Sequence, residues 1–106
     1  LRQHLAKLDL ARTKVTSDAL ATLATFPRLT RLDLRDTNVG DASLEKLAVL
    51  RHLSYLNLGG TEVGDVGLRK LGKCKTLRDL YLWNSSVTRL GAETIRRQLR
   101  ETKVSL

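Results

Sequence analysis

The sequence predicts an α/β solenoid of right-handed coil, with a parallel sheet on the concave side and helices on the convex side. Three observations predict it. Apolar residues recur at an offset of 24 positions, each recurring unit contains alternating leucines, and each unit then changes to an apolar spacing of three. Alternation is typical of one strand face, whereas a spacing of three gives one stripe of a helix or of 3₁₀ turns. Each unit is therefore predicted to be a strand followed by a helical segment.

The strand of each unit is predicted by two columns of apolar residues that flank one outward position. The columns are Leu8, Leu32, Leu56, Leu80 and Val104, followed by Leu10, Leu34, Leu58, Leu82 and Leu106. Leucine supplies 23 of the 106 residues. One unit cannot bury both its strand face and its helix stripe, so neighbouring units must stack around a shared aliphatic core.

The helical part of each unit follows a small or capping residue. Gly40-Asp41, Gly64-Asp65 and Thr16-Ser17-Asp18 open three of these segments with residues able to cap a helix. The inward stripe is predicted by two further columns, which are Leu20, Leu44, Leu68 and Ala92, then Leu23, Leu47, Leu71 and Ile95.

One polar column stands out between strand and helix. Its members are Thr13, Thr37, Thr61 and Ser85. Hydroxyls at the end of a strand hydrogen-bond the adjacent turn, so this column is predicted to be structural rather than catalytic.

These residues resemble the leucine-rich repeat family, whose consensus LxxLxLxxN is matched in four consecutive units with Thr or Ser at the Asn position. The resemblance covers essentially the whole chain. The variant LxxLxLxxTxV looks most like the 24-residue repeats of bacterial proteins of the planctomycete type. It implies the repeat architecture and says little about which function the architecture serves.

We expect residues 1–106 to form a single domain, with units that start near residues 5, 29, 53 and 77 and a C-terminal cap over 89–106. The cap is predicted because Leu99 pairs with Ile95 in a helix, before a final short strand over 104–106. At the other end, Leu1 and Leu5 precede the first complete strand motif and are expected to be exposed. Together with the absence of methionine, they suggest a truncated array with a further repeat before residue 1.

A candidate binding site lies on the concave face, where the side chains between the inward leucines face solvent. Tyr55, Tyr81 and Trp83 are expected to form one group, with Arg35 facing Trp83 across an open notch at Gly59. Aromatic and arginine side chains often dominate binding energy. The predicted partner-binding residues are Arg35, Asp36, Tyr55, Asn57, Gly59, Tyr81 and Trp83. The competing interpretation is that these aromatic residues only shield the last strands beside the cap.

No enzyme, cofactor or metal site is predicted. Asp9 and Asp33 could lie one strand apart, but no nucleophile accompanies them, and they are interpreted as solvated charges. His4 and His52 are too few for a metal site. Cys74 occupies an apolar column and is predicted to be buried.

The net charge of +8 supports an alternative function. Residues 65–106 hold ten Lys or Arg against four Asp or Glu, whereas residues 1–64 hold nine against seven. The basic residues singled out are Lys70, Lys73, Lys75, Arg89, Arg96, Arg97 and Arg100. The alternative is therefore binding of nucleic acid or an anionic surface by the C-terminal helices, although solvated helices commonly carry such residues.

The primary prediction remains a protein-interaction module that acts as a monomer without membrane insertion. A third possibility is an accessory domain of a larger enzyme or adaptor protein.

Overall fold

The computed structural model of the chain describes residues 4–106, so Leu1 lies outside the described residues. The five strands are β1 Lys7–Asp9, β2 Arg31–Asp33, β3 Tyr55–Asn57, β4 Asp79–Tyr81 and β5 Lys103–Ser105. The α-helices are α1 Ser17–Leu23, α2 Leu44–Leu47, α3 Asp65–Arg69 and α4 Arg89–Gln98. Among the described residues, no helix is long and apolar enough to cross a bilayer.

The strands form one parallel sheet in the order β1-β2-β3-β4-β5. Each strand residue pairs with the residue 24 positions later, as Leu32 pairs with Leu56 and Leu56 pairs with Leu80. The predicted α/β class with a parallel sheet is confirmed. Because sequential strands are neighbours, equivalent positions of successive units lie side by side in rows across the sheet.

The helical side is less regular than the sheet, as the spacing of three indicates. A 3₁₀ turn over Asp41–Ser43 precedes α2, and another over Lys70–Lys73 follows α3. Thr88 caps α4, where its hydroxyl oxygen accepts a hydrogen bond from the Gly91 amide at 3.1 Å. Side-chain capping of this kind satisfies an amide that has no partner within the helix.

The core is a continuous stack of aliphatic side chains. Leu32, Leu56 and Leu80 are wholly buried at the centre of the sheet. Leu8 and Leu10 of the first unit are only half-buried, and so is Leu5, which the sequence predicts to be exposed.

The C-terminal cap differs from its prediction in two respects. Ile95 and Leu99 are buried as expected, but α4 ends at Gln98, so Leu99 follows the helix instead of lying in it. In addition, β5 ends at Ser105. Leu106 is 49% exposed rather than buried in the column of Leu82. Pairing extends only as far as Ser105, which lies opposite Tyr81, so Leu106 is not held over the core.

The turn after each of the first four strands contains one residue with positive φ. These residues are Arg12 at 59°, Asp36 at 56°, Gly60 at 68° and Asn84 at 56°. They are again 24 positions apart. Gly, Asn and Asp tolerate this left-handed region, whereas a long side chain such as that of arginine is strained there.

The polar column hydrogen-bonds the same turn in every unit. The hydroxyls of Thr13, Thr37, Thr61 and Ser85 donate to the carbonyls of Leu10, Leu34, Leu58 and Leu82 at 2.6–2.7 Å. The predicted structural role of the column is confirmed.

Aspartates join successive units on the helical side. Asp41 Oδ1 accepts a hydrogen bond from the Gly64 amide at 2.7 Å. In the next unit, Asp65 accepts from the Thr88 amide at 2.9 Å and from the Thr88 hydroxyl at 2.5 Å. The Thr88 hydroxyl and then its amide hold the pKa of Asp65 below its ordinary value. Desolvation opposes them, and the Arg69 charge adds a smaller lowering effect.

Candidate partner-binding face

The outward side of the sheet, with the residues just after each strand, is called the sheet face below. Its members on the second, third and fourth units are Arg31, Asp33, Arg35, Asp36, Tyr55, Asn57, Gly59, Asp79, Tyr81 and Trp83. The register places Arg31, Tyr55 and Asp79 in one row and Asp33, Asn57 and Tyr81 in the next.

The two tyrosines of the sheet face are in contact. Their ring centroids are 5.3 Å apart with an interplanar angle of 50°, a tilted arrangement that aromatic pairs favour. The guanidinium carbon of Arg31 lies 3.6 Å from the Tyr55 ring centroid. This cation–π contact adds Arg31 to the cluster. Sequence reasoning did not select Arg31, although its place beside Tyr55 in the repeat was the available signal.

Gly59 does not form the predicted open notch. It is buried, and a Cβ built on it would lie 2.8 Å from Cε2 of Trp83. The indole therefore covers Gly59, because the missing side chain leaves space in which the ring buries apolar surface. Trp83 itself remains 41% exposed. The expected open notch between Arg35 and Trp83 is wrong, and the indole on Gly59 takes its place.

Asn57 is a buried support of the sheet face rather than an exposed contact. It is only 5% exposed. Its Oδ1 accepts a hydrogen bond from the Gly59 amide at 2.9 Å, and its Nδ2 lies at 3.5 Å from the Tyr55 hydroxyl. The carboxamide thus fixes the turn beneath the indole.

Asp9 and Asp33 have the same role in their own units. Asp9 Oδ1 accepts from the Ala11 amide at 2.9 Å, and Asp33 Oδ1 accepts from the Arg35 amide at 3.0 Å. Asp33 is half-buried, which corrects its interpretation as a solvated charge. Each of these carboxylates accepts a hydrogen bond from a turn amide. This structural role explains why an aspartate recurs at this position, and no catalytic role is needed to explain it.

Arg35 and Asp36 lie beside the aromatic residues. Nη2 of Arg35 is 3.6 Å from Oδ2 of Asp33, while its Nε is buried without a hydrogen-bond partner. The Asp36 carboxylate occupies the space above Gly60. Both residues are therefore partly engaged within the fold.

Three of the seven basic residues singled out on the C-terminal helices hold the fold together. Lys70 donates to the Asp41 carbonyl at 3.2 Å, Lys75 to the Gln98 carbonyl at 2.8 Å, and Arg96 to the Val104 carbonyl at 2.9 Å. The other four, which are exposed, are Lys73, Arg89, Arg97 and Arg100.

An open cleft of about 230 Å³ on the sheet face is lined by Lys7, Leu8, Asp9, Arg31 and Asp33. Across residues 4–106, no three His, Cys, Asp or Glu side chains come together as a metal site. Cys74 is buried as predicted, and burial raises the pKa of its thiol.

Comparison with known proteins identifies the fold. The family profile described as Leucine Rich repeat matches residues 27–48 and 49–72. No curated protein matches the sequence.

Solved structures that are similar in fold include three from different organisms. A leucine-rich repeat protein of Leptospira interrogans is 20% identical with a TM-score of 0.71, over 96% of this chain and 25% of that one. The structure of Chaetomium Mex67:Mtr2 subunits gives 16% identity and a TM-score of 0.74, over 98% of this chain and 83% of that one. An internalin of Listeria monocytogenes is 19% identical with a TM-score of 0.62, over 97% of this chain and 35% of that one.

This chain thus spans about a quarter of the length of the Leptospira protein. At these identities, the solved structures bear on the fold alone. The repeated strands, the hydroxyl column and the matched profile agree with one another. The chain carries leucine-rich repeats and folds as a leucine-rich repeat solenoid.

Proposed function

We propose that this chain binds a protein partner through the sheet face, with no catalysis of its own. Leucine-rich repeats generally mediate protein–protein interaction. The observation that carries the choice of face is Trp83, an indole that is 41% exposed on a sheet whose other aromatic residues, Tyr55 and Tyr81, are already in contact. Large, rigid side chains with a polar edge are the commonest anchors in interfaces.

The predicted site residues take two roles in this proposal. Tyr81 and Trp83 are the anchors, and Arg35 and Asp36 contribute charge beside them. Asn57 and Gly59 are buried and support the face from beneath, because the indole of Trp83 packs directly on Gly59. Tyr55 belongs to both groups because it lies in contact with Arg31 on one side and Tyr81 on the other.

The test compares truncation of two exposed apolar residues on opposite sides. A partner is first captured with the intact protein, and its dissociation constant is then measured by titration calorimetry. Trp83→Ala is expected to weaken binding by about 2 kcal/mol, which is about 30-fold in Kd. The control is Val66→Ala on α3, because Val66 is 56% exposed on the helical side.

Gly59→Arg is expected to block the same partner, because any side chain at Gly59 must displace the indole from its seat. Lys73→Ala on the helical side should change little. Equal affinities for Trp83→Ala and the unsubstituted protein, with the fold intact by circular dichroism, would show that Trp83 only shields the sheet.

The alternative, electrostatic binding of nucleic acid or an anionic surface, is supported by an open cleft of about 370 Å³ whose lining includes Arg69, Lys70 and Lys73. Binding to random duplex DNA is expected to be weak and to vanish near physiological salt if these residues only solvate the helices. The variant that tests it changes two basic residues of this cleft. Arg69→Glu combined with Lys73→Glu removes positive charge there and leaves the Lys70 bond to the Asp41 carbonyl intact. Sub-micromolar binding at physiological salt that this double variant abolishes would favour the alternative.

A further inference from the structure

The positive charge of the chain is concentrated on one edge of the solenoid. In each unit, a turn runs from the end of the helical segment to the start of the next strand, and these four turns cover residues 24–30, 48–54, 74–78 and 99–102. They are called the return edge below. The return edge holds five Lys or Arg against one Asp or Glu, whereas the five strands hold three against three. Half of the net charge of +8 therefore lies on this edge.

The register of the sheet places the basic residues of the return edge in two rows. Arg28, His52 and Arg100 each lie three residues before a strand, so they occupy equivalent positions of their units. Arg51 and Lys75 are equivalent to each other and form the adjacent row. All five side chains are exposed. The edge thus presents basic groups along the stack of units and does not gather them at a single point.

Only some of these residues have a role within the fold. Lys75 and Arg78 donate hydrogen bonds to backbone carbonyls at the ends of helical segments, a common place for cations. Arg28, Arg51 and Arg100 form no hydrogen bond or ion pair with any residue of 4–106. Three exposed guanidinium groups on this edge therefore stay available for an external anion.

The return edge also exposes apolar surface among these charges. An open cleft of about 200 Å³ lies between the first two return turns, and its lining includes Phe26, Pro27 and Val49 beside Arg51 and His52. Val49 is 55% exposed. An apolar side chain thus projects next to an unpaired guanidinium group.

We propose that the return edge binds the surface of an anionic lipid bilayer. The acidic headgroups face Arg28, Arg51 and Arg100, while Val49 enters the interfacial layer. Basic residues are attracted to anionic bilayers, and a neighbouring apolar side chain adds buried area at the same surface. The inference is independent of the protein partner proposed for the sheet face. It also differs from the alternative on the C-terminal helices, because it draws on the first two units.

Two observations favour a lipid surface over nucleic acid at this edge. The helical segments end here, so their carbonyl ends face the edge, whereas nucleic-acid phosphates are commonly bound by backbone amides and helix N-termini. Exposed aromatic residues, on which single-stranded bases stack, are also missing from the return turns, where the one aromatic residue is the half-buried Phe26. Val49 gains from contact with an apolar phase, which nucleic acid does not offer.

The test measures sedimentation of the intact protein with vesicles. Vesicles of phosphatidylcholine and phosphatidylserine, in a ratio of about 3:1, are expected to bind it, and vesicles of phosphatidylcholine alone are not. Arg28→Gln combined with Arg51→Gln should weaken binding about 30-fold, since each basic residue near an anionic surface contributes about fivefold. The matched control is Arg12→Gln combined with Lys14→Gln, which removes the same charge from the opposite edge and should weaken binding far less.

A second variant separates lipid from nucleic acid. Val49→Thr keeps the shape and charge of the edge and should weaken vesicle binding about fourfold, the contribution of one buried methyl group. Circular dichroism checks that each variant is folded. Equal binding to the two kinds of vesicle, or equal losses in the two double variants, would overturn the proposal. It would also be overturned by duplex DNA that binds more tightly than the vesicles at the same salt, depends on Arg28 and Arg51, and is unaffected by Val49→Thr.

Discussion

The two sides of the solenoid hold successive repeats together by different means. On the sheet side, backbone groups pair directly, as when the Leu34 amide donates to the Asn57 carbonyl at 2.9 Å. On the helical side, side chains make the link, as when Asp41 accepts from the Gly64 amide and Lys70 donates to the Asp41 carbonyl. A backbone ladder tolerates almost any outward side chain. The difference teaches that outward residues of the sheet can vary for recognition, whereas polar residues of the helical side hold the register.

The largest expected effect comes from breaking the core that both sides share. Leu56 is wholly buried, so Leu56→Asp places an unpaired charge among leucines and should cost several kcal/mol, enough to unfold a chain of this size. The same substitution at Leu90, which is 69% exposed, is the control and should be tolerated. Urea denaturation measures both. A midpoint for Leu56→Asp equal to that of the unsubstituted protein would contradict the register.

A smaller loss is expected from the helical side alone. Asp41→Ala removes the acceptor of the Gly64 amide and should lower the free energy of unfolding by about 1 kcal/mol. Asp41→Asn keeps an oxygen in place and should recover most of it. If Asp41→Ala proved as stable as Glu93→Ala, a change at an exposed position of α4, the helical side would not hold the register.

The sheet side offers a gain in stability. Arg12 has a φ of 59°, and the equivalent residue of the third unit is Gly60. Arg12→Gly relieves the left-handed strain while the backbone bond to the Arg35 carbonyl persists, so stability should rise by about 0.5–1 kcal/mol. Thermal denaturation measures this gain. A loss of stability instead would show that the Arg12 side chain contributes more than its backbone strain costs.

The smallest expected effect is the pH dependence at Asp65. Its pKa is lowered in the folded state, mainly by the Thr88 hydroxyl and amide. The ionised form therefore stabilises the fold above about pH 4, and this contribution is lost as pH falls through the lowered pKa. The stability advantage of the unsubstituted protein over Asp65→Asn should shrink in acid, as measured by urea denaturation across pH. An advantage that stays constant into acid would contradict the assignment.

Sequence repetition was enough to predict the fold and the hydroxyl column, because both depend on residue type at a fixed spacing. Leu32, Leu56 and Leu80 are buried for this reason, and Thr61 hydrogen-bonds its turn for the same reason. The alternation of inward-facing leucines along each strand also identified the members of the sheet face. What repetition predicts is position along the chain and side of the sheet.

The repeat pattern could not predict side-chain conformation. The Trp83 indole packs on Gly59 because of the rotamer that it adopts, and this rotamer depends on the space left by a neighbouring unit. Asn57 is buried beside Tyr55 and opposite Tyr81. The contact of Arg31 with Tyr55 follows from the flexibility of a long side chain. Each of these contacts joins residues of adjacent units, so the sequence pattern of one unit does not predict it.

The constant offset of 24 residues between paired strands also has a kinetic consequence. Every strand pairing closes a chain segment of the same length, so no pairing carries a larger loop-closure entropy than another. Folding can start at whichever pair of units is most stable and then spread one unit at a time. The wholly buried leucines of the second to fourth units make that stretch the expected nucleus. The first unit, whose strand leucines Leu8 and Leu10 are only half-buried, is expected to order last.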